Sequence, residues 1–293
     1  MRLSDYGTGD CEMIRDGMFS SLGSVFTRFP GQLVSATRED EIKKIQRNPS
    51  VTCVITVDRL VMQVPENLGI LSAGDPWKLF HEIAGSLSRQ KEQTLEPFEN
   101  QISPSAIIHP SATIACRSVR IGKHVSIGKN VVIHEHTAIE DGAIIRSGSI
   151  IGNSKTPLSS GISDNDTMKP LGGVHIQRDV DIHANTIIDR AFFKGCTEIG
   201  TQTKIDNLVH IGPGAEIGNR CLVVACAEIG EAVRIGDDSW IGPNVTLADQ
   251  VLIGKNVYIT LGSAVTHDIG DDKVVKDNYA LDRKRFKKVM RGM

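Results

Sequence analysis

Aromatic side chains make up only 4% of the 293 residues. So few rings do not fill a broad conventional core; they suit a narrow interior lined by aliphatic groups. The six cysteines, Cys11, Cys53, Cys116, Cys196, Cys221 and Cys226, include no CxxC pair and no CxxC/HxxxH spacing, so neither a disulfide framework nor a zinc ribbon is expected. No apolar run long enough to cross a bilayer occurs, and no apolar segment follows Met1. The chain is therefore expected to be cytoplasmic, with no membrane span. Net charge is −2 from 33 basic and 35 acidic residues, which argues against a general polyanion binder and against a nucleic-acid partner. Helical spacing between strands is also missing from the C-terminal part of the chain, which disfavours an ordinary α/β sheet there.

What is present instead is a fixed short period. From Ile199 every sixth residue is aliphatic, through Ile205, Ile211 and Ile217 to Ile259 and Val265, twelve in succession. The residue two places before each is small or β-branched, from Thr197 and Thr203 to Val257 and Ser263. Residues two apart on a strand share a face, so both positions point inward. Gly follows the aliphatic in seven hexads (Gly200, Gly212, Gly218, Gly230, Gly236, Gly242, Gly254), where it is expected to let the chain turn a corner. Three hexads close one triangular coil, and stacked coils make a parallel β-helix. Cys221 falls on an inward small position and reads as a buried apolar residue.

The same period covers Ile102 to Ile151 with one seven-residue step, stops over 153–173, and returns at Ile176, Ile182 and Ile188. A bulky Ala191–Phe192–Phe193 then precedes the twelve-hexad run. About eight coils give a column roughly 35–40 Å long at the strand spacing. The interruption at 153–173, rich in Ser, Asp, Gly and Pro, reads as a loop thrown out from a coil.

Residues 1–100 lack the hexad and read as a small α/β domain. Strands are expected at Gln32–Ala36, Val51–Val57 and Leu68–Leu71, with helices at Glu39–Gln46 and Pro76–Leu87. Asp75 is placed to cap the second helix, with Pro76 at its first position. The column then spans 101–270. The tail, 271–293, carries six basic residues between Asp282 and Arg291. It is expected to form a short helix, either capping the column or docking an acidic carrier protein.

The interior is filled, so chemistry must sit on outward positions. His210 precedes inward Ile211, and Glu228 follows three hexads later, one coil above it. A carboxylate beside an imidazole fixes its tautomer and raises its basicity, as a general base requires. Asp206 and Asn207, at the preceding corner, are candidates to hydrogen-bond at the same site. His183 and His175 also point outward and are candidate substrate-binding residues. No two histidines have the pairing a zinc site on adjacent coils would need, so no metal is expected.

The repeat resembles that of the left-handed β-helix acyltransferases. Within them the chain looks most like the UDP-3-O-(3-hydroxyacyl)glucosamine N-acyltransferases. The shared segments are Gly74–Trp77, Ile102–Ala106, Lys169–Val174, Asn185–Arg190 and Ile205–Ile211. The resemblance implies a mainly-β, left-handed parallel β-helix behind a small N-terminal domain. It implies a homotrimer, a nucleotide sugar or amino sugar as acceptor, and acyl-CoA or an acyl-carrier-protein thioester as co-substrate, with no bound cofactor. That family's general base aligns with Pro213, and a second functional histidine aligns with Gln250. No aromatic stands in Leu33–Arg38, where the family grips uracil. The resemblance thus implies an acyltransferase with a different base. The alternative is a non-catalytic trimer that binds a sugar or a protein.

Overall fold

The computed structural model describes residues 1–7, 11–26, 28–88, 95–154 and 170–276. The basic tail beyond 276, most of the 153–173 loop and the stretch 89–94 lie outside them. From 101 onward three flat parallel sheets wrap around one axis, with eight, nine and eight strands. The first face runs from Gln101–Ile102 to Leu252–Ile253, the second from Ile107–Ile108 to Val274–Val275, and the third from Thr113–Ile114 to Ala264–Val265. The chain visits the faces in turn, so each strand pairs in parallel with the strand one coil away, as His210–Ile211 does with Glu228–Ile229. The molecule is a mainly-β, left-handed β-helix with an α/β region before it.

The interior follows the period without exception through the long run: Ile205, Ile211, Val223, Ile229 and Ile241 are fully buried, and so are Thr197, Thr203 and Ala215. At ~25 cal/mol per Å² this apolar burial is the main stabilising term. The glycines serve a different purpose from the expected turn. None of the seven has positive φ. A Cβ on Gly200 would lie 2.5 Å from the Gly218 carbonyl carbon, and one on Gly236 would lie 2.7 Å from that of Gly254. Close stacking of coils, not φ, demands glycine there. The corner itself turns three residues after each aliphatic, where Gln202, Leu208, Arg220, Asn244 and Asn256 hold φ between 52° and 60°. Asn tolerates that left-handed conformation; Leu208 is strained in it.

The N-terminal region is a five-stranded sheet. Its strands are β1 (Cys11–Arg15), β2 (Ser21–Leu22), β3 (Gln32–Ala36), β4 (Val51–Thr56) and β5 (Gly69–Ala73), in the order β1-β5-β4-β3-β2. Only β1 is antiparallel to its neighbour. Helix α1 is Glu39–Gln46 and α2 is Pro76–Ser88. Asp75 Oδ1 accepts the backbone N–H of Lys78 at 3.0 Å, capping α2. The weakly patterned stretch before Pro30 supplies β1 and β2. Phe192 and Phe193, which break the hexad, leave the column and pack into this region, with Phe193 edge-on to Phe80 at 5.3 Å. Lys44 adds a second tie, bonding Asp268 Oδ1 and the Gln250 carbonyl at 3.0 Å each. The two parts are thereby held along the first face.

Candidate functional site

Between them lies a cleft of about 1050 Å³. One wall is the segment before β3, with Phe26, Arg28 and Phe29; the other is the first face, with His175, Glu198, Glu216 and Arg234, and the rim carries Pro213 and Glu231. Glu216 is shared by two cations, Arg28 at 2.6 Å and Arg234 at 2.9 Å. Arg234 also donates to the Phe26 carbonyl and lies 4.9 Å from the Phe26 ring centre. Leu33–Arg38 carries no aromatic; the rings lining the cleft from this side, Phe26 and Phe29, stand in the segment before β3.

On the third face, His210 and Glu228 come together across adjacent coils, with Nδ1 to Oε1 at 2.6 Å. A third group joins them that spacing alone did not indicate. Asp189 Oδ2 lies 2.9 Å from His210 Nε2, and Asp189 Oδ1 accepts from Asn153 Nδ2 at 2.7 Å. Asp189 is 1% exposed and Glu228 48%. Both ring nitrogens face carboxylate oxygens, so both must donate, and His210 is an imidazolium. Asp189 first, then Glu228, push its pKa up to about 9. In this arrangement the ring has no lone pair free to take a proton.

His175, on the cleft wall, repeats the arrangement on the first face. Nδ1 faces Glu198 at 3.0 Å and Nε2 faces Glu140 at 2.8 Å. The Glu198 hydrogen bond leads in raising its pKa to about 9. His183 sits between Asp206 at 3.3 Å and Asp181 at 3.6 Å. Asp206 and Asn207 accordingly gather around His183 and not around His210. Asp206 accepts the Ala225 N–H and Asn207 accepts the Ala184 N–H. They lie at the corner leading into the third face, whereas the His210 ring turns along that face toward Asp189. The structure thus divides the six candidates among three sites. His210 and Glu228 are on the third face, His175 is in the cleft, and His183, Asp206 and Asn207 share a corner.

A signal for the missed carboxylates exists in the sequence. Glu140 and Asp189 each directly follow an inward Ile, as the candidate Asp206 does, in the slot that is glycine in most later hexads. A charged residue where coils approach most closely must reach a partner on the next coil. No group of three or more His, Cys, Asp or Glu side chains suited to a metal occurs among the described residues. Nor is any helix among them long and apolar enough to cross a membrane.

Comparison with known proteins places the architecture. The family model "Bacterial transferase hexapeptide (six repeats)" matches residues 118–153, 196–231 and 232–267. The UDP-3-O-acylglucosamine N-acyltransferase of Oleidesulfovibrio alaskensis is 56% identical over 54 residues, 18% of this chain and 16% of that protein. That of Protochlamydia amoebophila is 51% identical over 57 residues, 20% of this chain and 16% of that protein. The matched stretch therefore spans about a sixth of these relatives. Among solved structures, a UDP-N-acetylglucosamine acyltransferase from Campylobacter jejuni aligns with a TM-score of 0.50 and 21% identity, over 65% of this chain and 82% of that one. The chain has a hexapeptide-repeat fold, and over the matched stretch it is similar to the UDP-3-O-acylglucosamine N-acyltransferases.

Proposed function

We propose that this protein moves an acyl group from a thioester, acyl-CoA or acyl-carrier protein, onto a nucleotide-linked amino sugar, working as a homotrimer. The observation that carries this reading is the cleft. It presents ring faces at Phe26 and Phe29 and guanidinium groups at Arg28 and Arg234. Rings stack on a base and guanidinium forks bind phosphate oxygens. The three flat outward faces of the column favour three-fold packing. The cluster of six basic residues at 282–291 suits an acidic carrier protein.

In the reaction the sugar amine attacks the thioester carbonyl, the C–S bond breaks, and the thiol leaves with the proton taken from the amine. His210 lies on the third face and not in the cleft, so the acceptor amine must reach it across the groove between subunits, and the ring serves as base only after losing a proton of its own. Half-exposed Glu228 swings away and frees Nδ1, while buried Asp189 keeps the ring anchored through Nε2. Backbone N–H groups at the corners stabilise the oxyanion. Activity should then rise with pH toward about 9, the raised pKa of His210. Removing a carboxylate with Glu228→Gln should move that limb to lower pH. His210→Ala should lower the rate by ~10²–10⁴. Pro213 has no side chain able to accept a proton, so transfer to the UDP-3-O-acylglucosamine acceptor is expected to be undetectable.

Thioester turnover across a panel of UDP-linked amino sugars tests the reading, with Arg28→Ala and Phe29→Ala expected to raise KM for the sugar. Full activity of His210→Ala would remove the assigned base. A second reading, a sugar-binding trimer without catalysis, is favoured by one observation: His175 and His210 are both saturated by carboxylates. UDP-sugar binding with no turnover on any acceptor would select it.

A further inference from the structure

Three histidines of the column, His175, His183 and His210, are each held between two carboxylates. Two others are not. His134 and His136 stand on the corner that leads from the third face to the first, and among the described residues neither meets a carboxylate within ion-pair distance. Two coils further along the same corner is Arg190. Its Nε donates to the Gly172 carbonyl at 2.9 Å and its backbone N–H to the Asn153 carbonyl at 2.9 Å. Among the described residues its terminal nitrogens have no hydrogen-bond partner.

The three stand on stacked coils of this one corner. The His134 backbone N–H donates to the Ile151 carbonyl at 2.9 Å, and Val174 donates to the His136 carbonyl at 3.0 Å. Gly152 and Gly173 fill the intervening coil. A Cβ on Gly152 would lie 3.2 Å from His134 Cβ and 2.7 Å from Thr137 Oγ1, and one on Gly173 would lie 2.2 Å from the His136 carbonyl oxygen. Thr137 Oγ1 is itself buried with no partner among the described residues. The other charged groups facing the cluster are few. Glu135 is taken by Arg117 at 2.9 Å. Burial pushes the Cys196 thiol up to about 11, so it is neutral. Burial, then the Arg190 charge, hold both histidines below the usual range, so they are neutral at pH 7. The corner thus carries the Arg190 guanidinium, which feels the Glu135 charge but has no hydrogen-bond partner on its terminal nitrogens among the described residues, and two neutral imidazoles.

We propose that His134, His136 and Arg190 form a binding site for a phosphoryl oxyanion, which is taken up together with a proton. A guanidinium with free terminal nitrogens matches phosphate oxygens. A dianion arriving beside neutral imidazoles favours their charged form, and by linkage binding draws protons from solvent. The site is separate from the cleft and does not rest on acyl transfer.

Calorimetric titration of the full chain at pH 7, in buffers of different ionisation enthalpy, tests it. The probe is inorganic phosphate; CoA with its phosphomonoester and UDP are compared only through the part of their affinity that the corner variants lose, which identifies the source of the phosphoryl group the corner accepts. Binding with net proton uptake is expected. It should weaken about tenfold or more in the His134→Gln/His136→Gln double variant and in Arg190→Gln, the loss of charge-assisted hydrogen bonds. Exposed His134→Gln alone keeps the test valid where Arg190→Gln fails to fold. Arg220→Gln, on an exposed corner outside both sites, should leave phosphate binding unchanged. Absence of phosphate binding, unchanged affinity in the corner variants, or binding without proton uptake would each overturn the proposal. Lost turnover in Arg28→Ala with intact phosphate binding would bear on the cleft alone.

Discussion

The inside and the outside of the column are written in the same hexads, yet they obey opposite rules. Inside, every coil repeats its neighbour: an aliphatic and a small partner, both buried, layer upon layer. Outside, no coil repeats another. His210 finds Asp189 and Glu228, His175 finds Glu140 and Glu198, and His134 and His136 meet no carboxylate within ion-pair distance among the described residues. Stacking repeats make stability a sum of nearly identical neighbour terms. The interior is therefore uniform because any gap weakens two interfaces. The exterior is free to vary, and that is where chemistry can be placed.

The sharpest way to break this contrast is to exchange the rules at adjacent residues. Ile229→Asp puts an unpaired carboxylate among packed aliphatics, at a cost of several kcal/mol. The soluble fraction on expression should fall to near zero. Its neighbour Glu228→Ala, on the outside, should change stability by no more than about 1 kcal/mol in urea denaturation. An unchanged melting temperature for Ile229→Asp would show that the register is wrong.

Asp189 blurs the line, since it stands on an outer strand yet is buried. Asp189→Ala strands the His210 cation and the Asn153 amide. Denaturant titration should show a loss of roughly 3 kcal/mol, typical of breaking a buried pair. A loss as small as that for Glu228→Ala would place Asp189 among the ordinary outer residues.

The next effect is in pH. His175 and His210 both have folded pKa values of about 9 against an unfolded value near 6.5. A raised pKa means the folded state holds its proton more tightly. The stabilisation is complete below about 6.5, declines as pH rises, and is gone above about 9. It amounts to about 2 kcal/mol for each histidine. Melting temperature should therefore fall between pH 6.5 and 9, and His210→Gln should remove part of the slope. A flat profile over that window would show that the carboxylate pairs are not formed in solution.

The smallest effect concerns the corners. Leu208 holds φ of 59° and is 59% exposed, where most corners carry Asn, Asp, Gln or Gly. Leu208→Asn should raise stability by about 0.5–1 kcal/mol, read as a small rise in melting temperature. A fall would mean that this side chain is covered in the assembled protein.

Much of this was legible from residues alone. Twelve hexads specify which side chains face inward, because strand geometry has period two and the coil has period six; no knowledge of neighbours is needed. The vertical pairing of His210 with Glu228 followed from the same arithmetic, since three hexads return the chain to the same face. The helix at Pro76 announced itself through Asp75 and its apolar spacing. Other features escaped the period. Asp189 and His210 are 21 residues apart, more than three hexads, because the Ala191–Phe193 excursion lengthens that coil. The two phenylalanines interrupt the hexads, and in the folded chain they anchor the N-terminal sheet and so create the cleft.

The sequence by itself determined the column, its interior, its faces and the order of its coils, because each of these depends on local geometry repeated at a fixed interval. Tertiary structure alone decided the protonation of the histidines and the fate of the arginines. A second carboxylate turns His175 and His210 into cations, Asp206 is drawn to His183, and Glu216 joins Arg28 to Arg234. Each of these rests on distances of about 3 Å between residues far apart in the chain. Electrostatic interaction falls with distance in space and is indifferent to distance in sequence.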